Sequence, residues 1–186
     1  MNYINHSGGA IGADSAFDSI GKSKGFNIHR HYYHGKKTPM GNLEITDREL
    51  REGWIHVLQA NKTLKRSPHA YRDLLSRNWF QVKNAEAIFA IGELKSASEV
   101  NGGTGWAVQM AIDNNKTVYV FDQGITYRWF VYDYETKEFE YCEDPILTEN
   151  YAGIGTRKLN DYGKNAIEKL YDDTLKHLND GNIRDA

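Results

Sequence analysis

Three short glycine-rich segments, each lodged between a β-prone stretch and an amphipathic one, constrain this 186-residue chain more than any other feature. The first is Ser7-Gly8-Gly9-Ala10-Ile11-Gly12-Ala13-Asp14, which follows a β-prone stretch at residues 3–6. Ala13, Ala16, Phe17 and Ile20 then recur at helical spacing, Gly21 and Gly25 bracket the end of that helix, and a second strand is expected over residues 26–31. The second segment, Asn101-Gly102-Gly103-Thr104-Gly105, follows the apolar run 85–91. It leads into a helix carrying Trp106, Ala107, Met110 and Ala111, then a strand over 117–121. The third is Tyr151-Ala152-Gly153-Ile154-Gly155-Thr156-Arg157, ahead of a helix marked by Ala166, Ile167, Leu170, Tyr171, Thr174, Leu175 and Leu178. Alternating strands and helices of this kind predict a Rossmann-like three-layer α/β fold with a mostly parallel sheet, in one domain spanning 1–186.

Between these units the chain carries less pattern. Residues 32–41, rich in His, Lys and Tyr, read as an exposed loop. Asp47 is placed to cap a helix bearing Leu50, Trp54, Val57 and Leu58, and Ser67-Pro68 to open another that extends toward Arg77 and Phe80. Over 129–141 aromatic and polar residues alternate around Glu135-Thr136-Lys137-Glu138, which predicts a β-hairpin appended to the sheet, as a lid or a dimer contact.

Composition narrows the function classes. A net charge of −2 and a sequence pI near 6.4 give no overall attraction to nucleic acid, and no nucleic-acid partner is expected. Cys142 is the single cysteine, so neither an internal disulfide nor a cysteine-based zinc site is available, which suits a cytoplasmic location. No stretch has the run of roughly 18 apolar residues that a membrane span needs, nor is there a secretion signal. His29, His31 and His34 alternate along a strand and its loop but lack an i, i+4 arrangement or a carboxylate pair. They read as exposed histidines; no metal and no cofactor are expected.

A glycine loop between strand and helix lets the backbone approach a phosphate, with the N–H groups of the helix's first turn facing the anion. Three such loops at the carboxyl ends of parallel strands are expected to converge on the crevice where open α/β sheets bind ligands. None matches the dinucleotide fingerprint or the Lys-Ser/Thr phosphate loop. The candidate binding residues are Ser7, Gly8, Gly9, Ala10, Gly12, Asp14, Gly102, Gly103, Thr104, Gly105, Gly153, Gly155 and Thr156 of the loops. Arg77 and Arg157 are candidates for charge-assisted phosphate contacts, and Trp106 either stacks on a base or joins the core.

The same segments resemble the SLOG superfamily, which includes the Lonely guy phosphoribohydrolases and DNA-processing protein A. Residues 7–14 resemble the Ser-Gly-Gly-Ala-x-Gly-Ala-Asp loop of bacterial and phage SLOG proteins, and Asn101 to Gly105 resembles the Gly-Gly-x-Gly element of the Lonely guy enzymes. Ala152-Gly153-Ile154-Gly155-Thr156-Arg157, with Tyr162-Gly163, resembles the superfamily's opening Gly-Ser/Thr-Arg element, and Arg77, Asn78 and Gln81 resemble the polar cluster ahead of its next strand. Here the opening element stands last, so the resemblance implies a circular permutation, which requires the end of the last helix to lie near Met1.

The resemblance further implies a nucleotide-derived ligand, such as an ADP-ribose derivative or a cyclic nucleotide signal, and a homo-oligomer. A sensor or sequestering protein is expected, for instance a phage counter-defence protein. The family pattern Pro-Gly-Gly-x-Gly-Thr-x-x-Glu places a glutamate implicated in catalysis where this chain has Gln109. An amide holds a ribose hydroxyl but takes up no proton, which favours binding over cleavage. The alternative is a nucleotide hydrolase, acting by N-glycosidic or phosphodiester cleavage, with Glu99, Asp14 or Asp122 supplying the carboxylate.

Overall fold

The computed structural model describes residues 1–34 and 42–184; part of the loop expected over 32–41 therefore lies outside the described residues. The elements run β1 (Ile4–Ser7), α1 (Ala13–Ser23), β2 (Asn27–Tyr32), β3 (Asn42–Glu44), α2 (Asp47–Leu64), a single 3-10 turn (His69–Tyr71), α3 (Arg72–Asn84) and β4 (Ala87–Gly92). Then come α4 (Thr104–Asp113), β5 (Thr117–Asp122), β6 (Arg128–Asp133), β7 (Glu138–Tyr141), β8 (Asn150–Gly155) and α5 (Asp161–Arg184). All eight strands join one sheet in the order β3-β2-β1-β8-β4-β5-β6-β7. The pairs from β3 to β5 are parallel, and β6 and β7 add an antiparallel hairpin at the edge, as the aromatic alternation predicts.

Helices cover both faces, giving the three-layer arrangement. Phe17 of α1 and Ile167, Leu170 and Tyr171 of α5 pack with Phe89 and Ile91 on one face. On the other, α2, α3 and α4 pack Val57, Trp79, Phe80, Trp106 and Met110 against Ile88 and Ala90. β4, buried at every position, reads as a continuous apolar run because both of its faces are covered. Among the described residues no helix is long and apolar enough to cross a membrane.

β8 is the last strand in sequence yet inserts between β1 and β4, with Asn150 opposite Ile4 and Tyr151 opposite Ala87. Its glycines make this possible. A side chain at Gly153 would stand 2.3 Å from the Phe17 ring, so α1 lies directly on the backbone there. From the carboxyl end of β8, α5 returns along the sheet, and Asp172 pairs with Lys24 at the end of α1. Three residues further, the Asn27 amide donates to the Met1 carbonyl.

Two element boundaries differ from the sequence reading. Thr46, not Asp47, caps α2: its hydroxyl accepts from Glu49 N–H while the Glu49 carboxylate accepts from Thr46 N–H, a complete capping box. Pro68 precedes the 3-10 turn, and α3 starts four residues later at Arg72.

Candidate functional site

Because β1, β8 and β4 are adjacent and parallel, the loops after all three leave the same edge of the sheet. A cleft of about 460 Å³ opens there, between these loops and the cleft-facing sides of α3 and α4. Ala10 and Asp14 come from the first glycine segment, Gly102, Gly103 and Thr104 from the second, and Gly155, Thr156 and Arg157 from the third. α3 contributes Arg77, Asn78 and Gln81 at near-helical spacing. The three segments thus converge, as their sequence positions predict.

The remaining candidates serve the loops from behind. Ser7 is fully buried; its hydroxyl donates to Asp18 and accepts from Gly9 N–H. Asp18 also accepts from Asn5 and from Arg30, which packs under Gly9. Gly8 presents its carbonyl to Arg77 Nη1 at 2.5 Å. Gly12, at φ +98, leaves only 2.3 Å between the position of a Cβ and the Thr156 carbonyl, and that carbonyl receives Ala13 N–H at 3.0 Å. The first and third loops are therefore sewn backbone to backbone. Gly105 backs onto the Val100 carbonyl.

Three candidates are corrected in role. Gly153 lies within β8 beneath Phe17 and does not line the cleft, because the helix-opening turn begins only after Gly155. Trp106 is 6% exposed and belongs to the apolar cluster of α2, α3 and α4. Gln109 is buried and donates to Asp113, on the side of α4 turned from the cleft; Thr104 and Ala107 are the α4 residues that face it. An amide at 109 therefore carries no information about proton transfer inside this cleft.

Of the three alternative carboxylates, Glu99 pairs with Arg66 and Lys95, and Asp122 accepts from Gly124 and Thr126 within its own turn. Only Asp14 lines the cleft. Its carboxylate accepts from Gly155 N–H at 3.1 Å. Burial pushes its pKa up to about 6, outweighing the nearby Arg77 charge.

Arg77 is 8% exposed and its Nη2 reaches Asn78, while Nε has no partner. Among the described residues it forms no ion pair. Burial lowers its pKa, with Asp14 the first of the opposing charges. A guanidinium in this state bears a desolvation cost on the order of several kcal/mol that no contacting carboxylate offsets.

The sequence reading missed Leu74, Leu75, Gly92, Glu93, Asn101, Ala107, Ile154 and Lys158 of the lining. The α3 pair was findable by extending the helical period back one turn from Asn78. It also missed Arg66, whose guanidinium holds the second loop by the Gly102 and Val100 carbonyls. His31 is not exposed: it is buried, stacks on His6, and has its pKa pushed down to about 3 by desolvation and by His6. A neutral imidazole packed into the sheet accounts for it.

Searches against protein-family models, characterised proteins and solved structures find nothing that matches this chain. The SLOG resemblance rests on the three segments themselves.

Proposed function

We propose that the cleft binds the phosphate of a small nucleotide-derived molecule and that the protein senses or sequesters that molecule. The observation that carries this reading is Arg77: a buried guanidinium with no ion pair among the described residues, set against a glycine loop and lining the cleft. An incoming phosphate supplies an anion in direct contact with Arg77, with Arg157 and Lys158 at the same cleft. The cleft volume lies in the range that takes a nucleotide-sized ligand. Native mass spectrometry of the purified protein, followed by denaturation, tests the reading. Release of an intact phosphate-bearing molecule supports it. Failure of phosphate to bind, or equal binding by Arg77→Met, overturns it.

A second reading, cleavage of the nucleotide, is favoured by Asp14, a cleft carboxylate whose pKa of about 6 suits proton transfer near neutral pH. Recovery of base and sugar-phosphate fragments in place of the intact ligand distinguishes it.

Membership of the SLOG superfamily in permuted form is part of this proposal. Its structural support is that α5 leaves β8 and pairs through Asp172 with Lys24 at the end of α1, three residues before Asn27, which holds Met1. Joining α5 to β1 restores a β8–α5–β1 unit of two adjacent parallel strands. Homo-oligomerisation and a counter-defence role rest on the resemblance alone, and a cytoplasmic location on the single cysteine, Cys142.

A further inference from the structure

Glu93 is the one cleft carboxylate that the loop framework does not use. It is exposed, stands at the carboxyl end of β4, and makes no side-chain hydrogen bond or ion pair among the described residues. Its backbone is fixed on both sides: Asn101 N–H donates to the Glu93 carbonyl at 2.9 Å, and Gln123 N–H to the Gly92 carbonyl at 2.9 Å. Its side chain lies across Gly124, where a Cβ would come within 2.9 Å of Cγ. The glycine therefore leaves the carboxylate a defined bed on the rim of the turn after β5.

An ionised carboxylate accepts hydrogen bonds and donates none, so beside a phosphate it is repulsive unless it faces donors on another part of the ligand. The sheet sets that separation. Arg77 grips Gly8 just beyond β1, Glu93 stands just beyond β4, and β8 lies between them. Two strand spacings amount to roughly 10 Å. Arg77 and Glu93 thus line the cleft from the two sides of β8, across a gap of the length that one sugar phosphate spans, and a vicinal diol is the donor pair that a carboxylate receives with both oxygens. We propose that Glu93 is a specificity residue that receives the vicinal hydroxyls of a ribose whose phosphate lies at Arg77, so that the cleft selects ribo- over deoxyribo-ligands. This rests on the phosphate-binding reading above and names the sugar it would take.

Calorimetric titration of the full chain in EDTA, with inorganic phosphate, ribose 5-phosphate and 2-deoxyribose 5-phosphate, tests it without committing to a base. The wild type is expected to bind ribose 5-phosphate about tenfold or more tightly than the deoxy analogue. Glu93→Ala is expected to bind the two alike, and to bind inorganic phosphate at least as well as the wild type. Equal affinities in the wild type, a preference that persists in Glu93→Ala, or a preference that appears only when magnesium replaces EDTA each overturns the role of Glu93. Inorganic phosphate binding that is lost in Arg77→Met in all these cases leaves the phosphate site standing. If inorganic phosphate does not bind the wild type, the site reading falls and this inference with it.

Discussion

Gly12 and Gly155 of the first and third loops and Gly102 and Gly103 at the opening of the second meet opposite surroundings. A Cβ at Gly12 would stand 2.3 Å from the Thr156 carbonyl, and one at Gly155 2.3 Å from the Ile91 carbonyl. At Gly102 and Gly103, by contrast, nothing lies within 4 Å of that position. The first pair is glycine because protein backbone already occupies the space; at the second pair the space is open and both residues line the cleft. One sequence signature thus serves two purposes, close packing at the seam between loops and room for a ligand at the opening of α4.

Substitution at the seam gives the largest effect. Gly12→Ala combines a left-handed φ of +98 with a backbone clash, and is expected to cost roughly 3 kcal/mol or more in urea denaturation. A loss below about 1 kcal/mol would erase the contrast between the loops.

Asp14, which closes the same seam through Gly155 N–H, sharpens it by pH. Its folded pKa of about 6 lies above the ordinary carboxyl value of 3.8, so protonation favours the folded state. The contribution is complete below about pH 4 and is lost as pH rises through 6. Asp14→Asn keeps an acceptor for Gly155 without the charge. It is expected to be on the order of 2–3 kcal/mol more stable than the wild type at pH 7.5, and indistinguishable from it at pH 4. An equal gain at both pH values would assign the effect to something other than ionisation.

At the open loop the expected stability effects are smallest. Gly102 has φ +64, so Gly102→Ala is expected to cost about 1 kcal/mol from backbone strain alone. Gly103 has φ −63, and Gly103→Ala should change stability by less than about 1 kcal/mol. It should nonetheless weaken binding of inorganic phosphate by about tenfold, because a methyl group then stands in the space the anion approaches. A Gly103→Ala protein that is strongly destabilised, or that binds phosphate unchanged, would show the second loop to be another packing seam.

The convergence of the three loops was legible because it follows from order and direction. Strand, glycine turn and helix repeat three times, and parallel strands put all such turns on one edge. The roles of individual residues were less legible. Trp106 and Gln109 follow directly on the second glycine segment, yet α4 turns both from the cleft while Thr104 and Ala107 face it. Gly153 matched a loop motif but lies inside β8, where the demand for glycine comes from Phe17, 136 positions earlier in the chain. Glu93 and Arg66 carried no signal: neither belongs to a periodic pattern, and each acquires its place through contacts with distant loops.

By itself the sequence determined the alternation of strands and helices, the edge hairpin and the three turns, since period, propensity and turn chemistry are local properties. Only the tertiary structure decided that β8 inserts between β1 and β4, that Arg77 is buried with no ion pair among the described residues, and which glycines yield to backbone and which leave room. Those are properties of what each residue meets across the fold, and burial, clash and charge pairing come into being only when segments far apart in the chain are packed together.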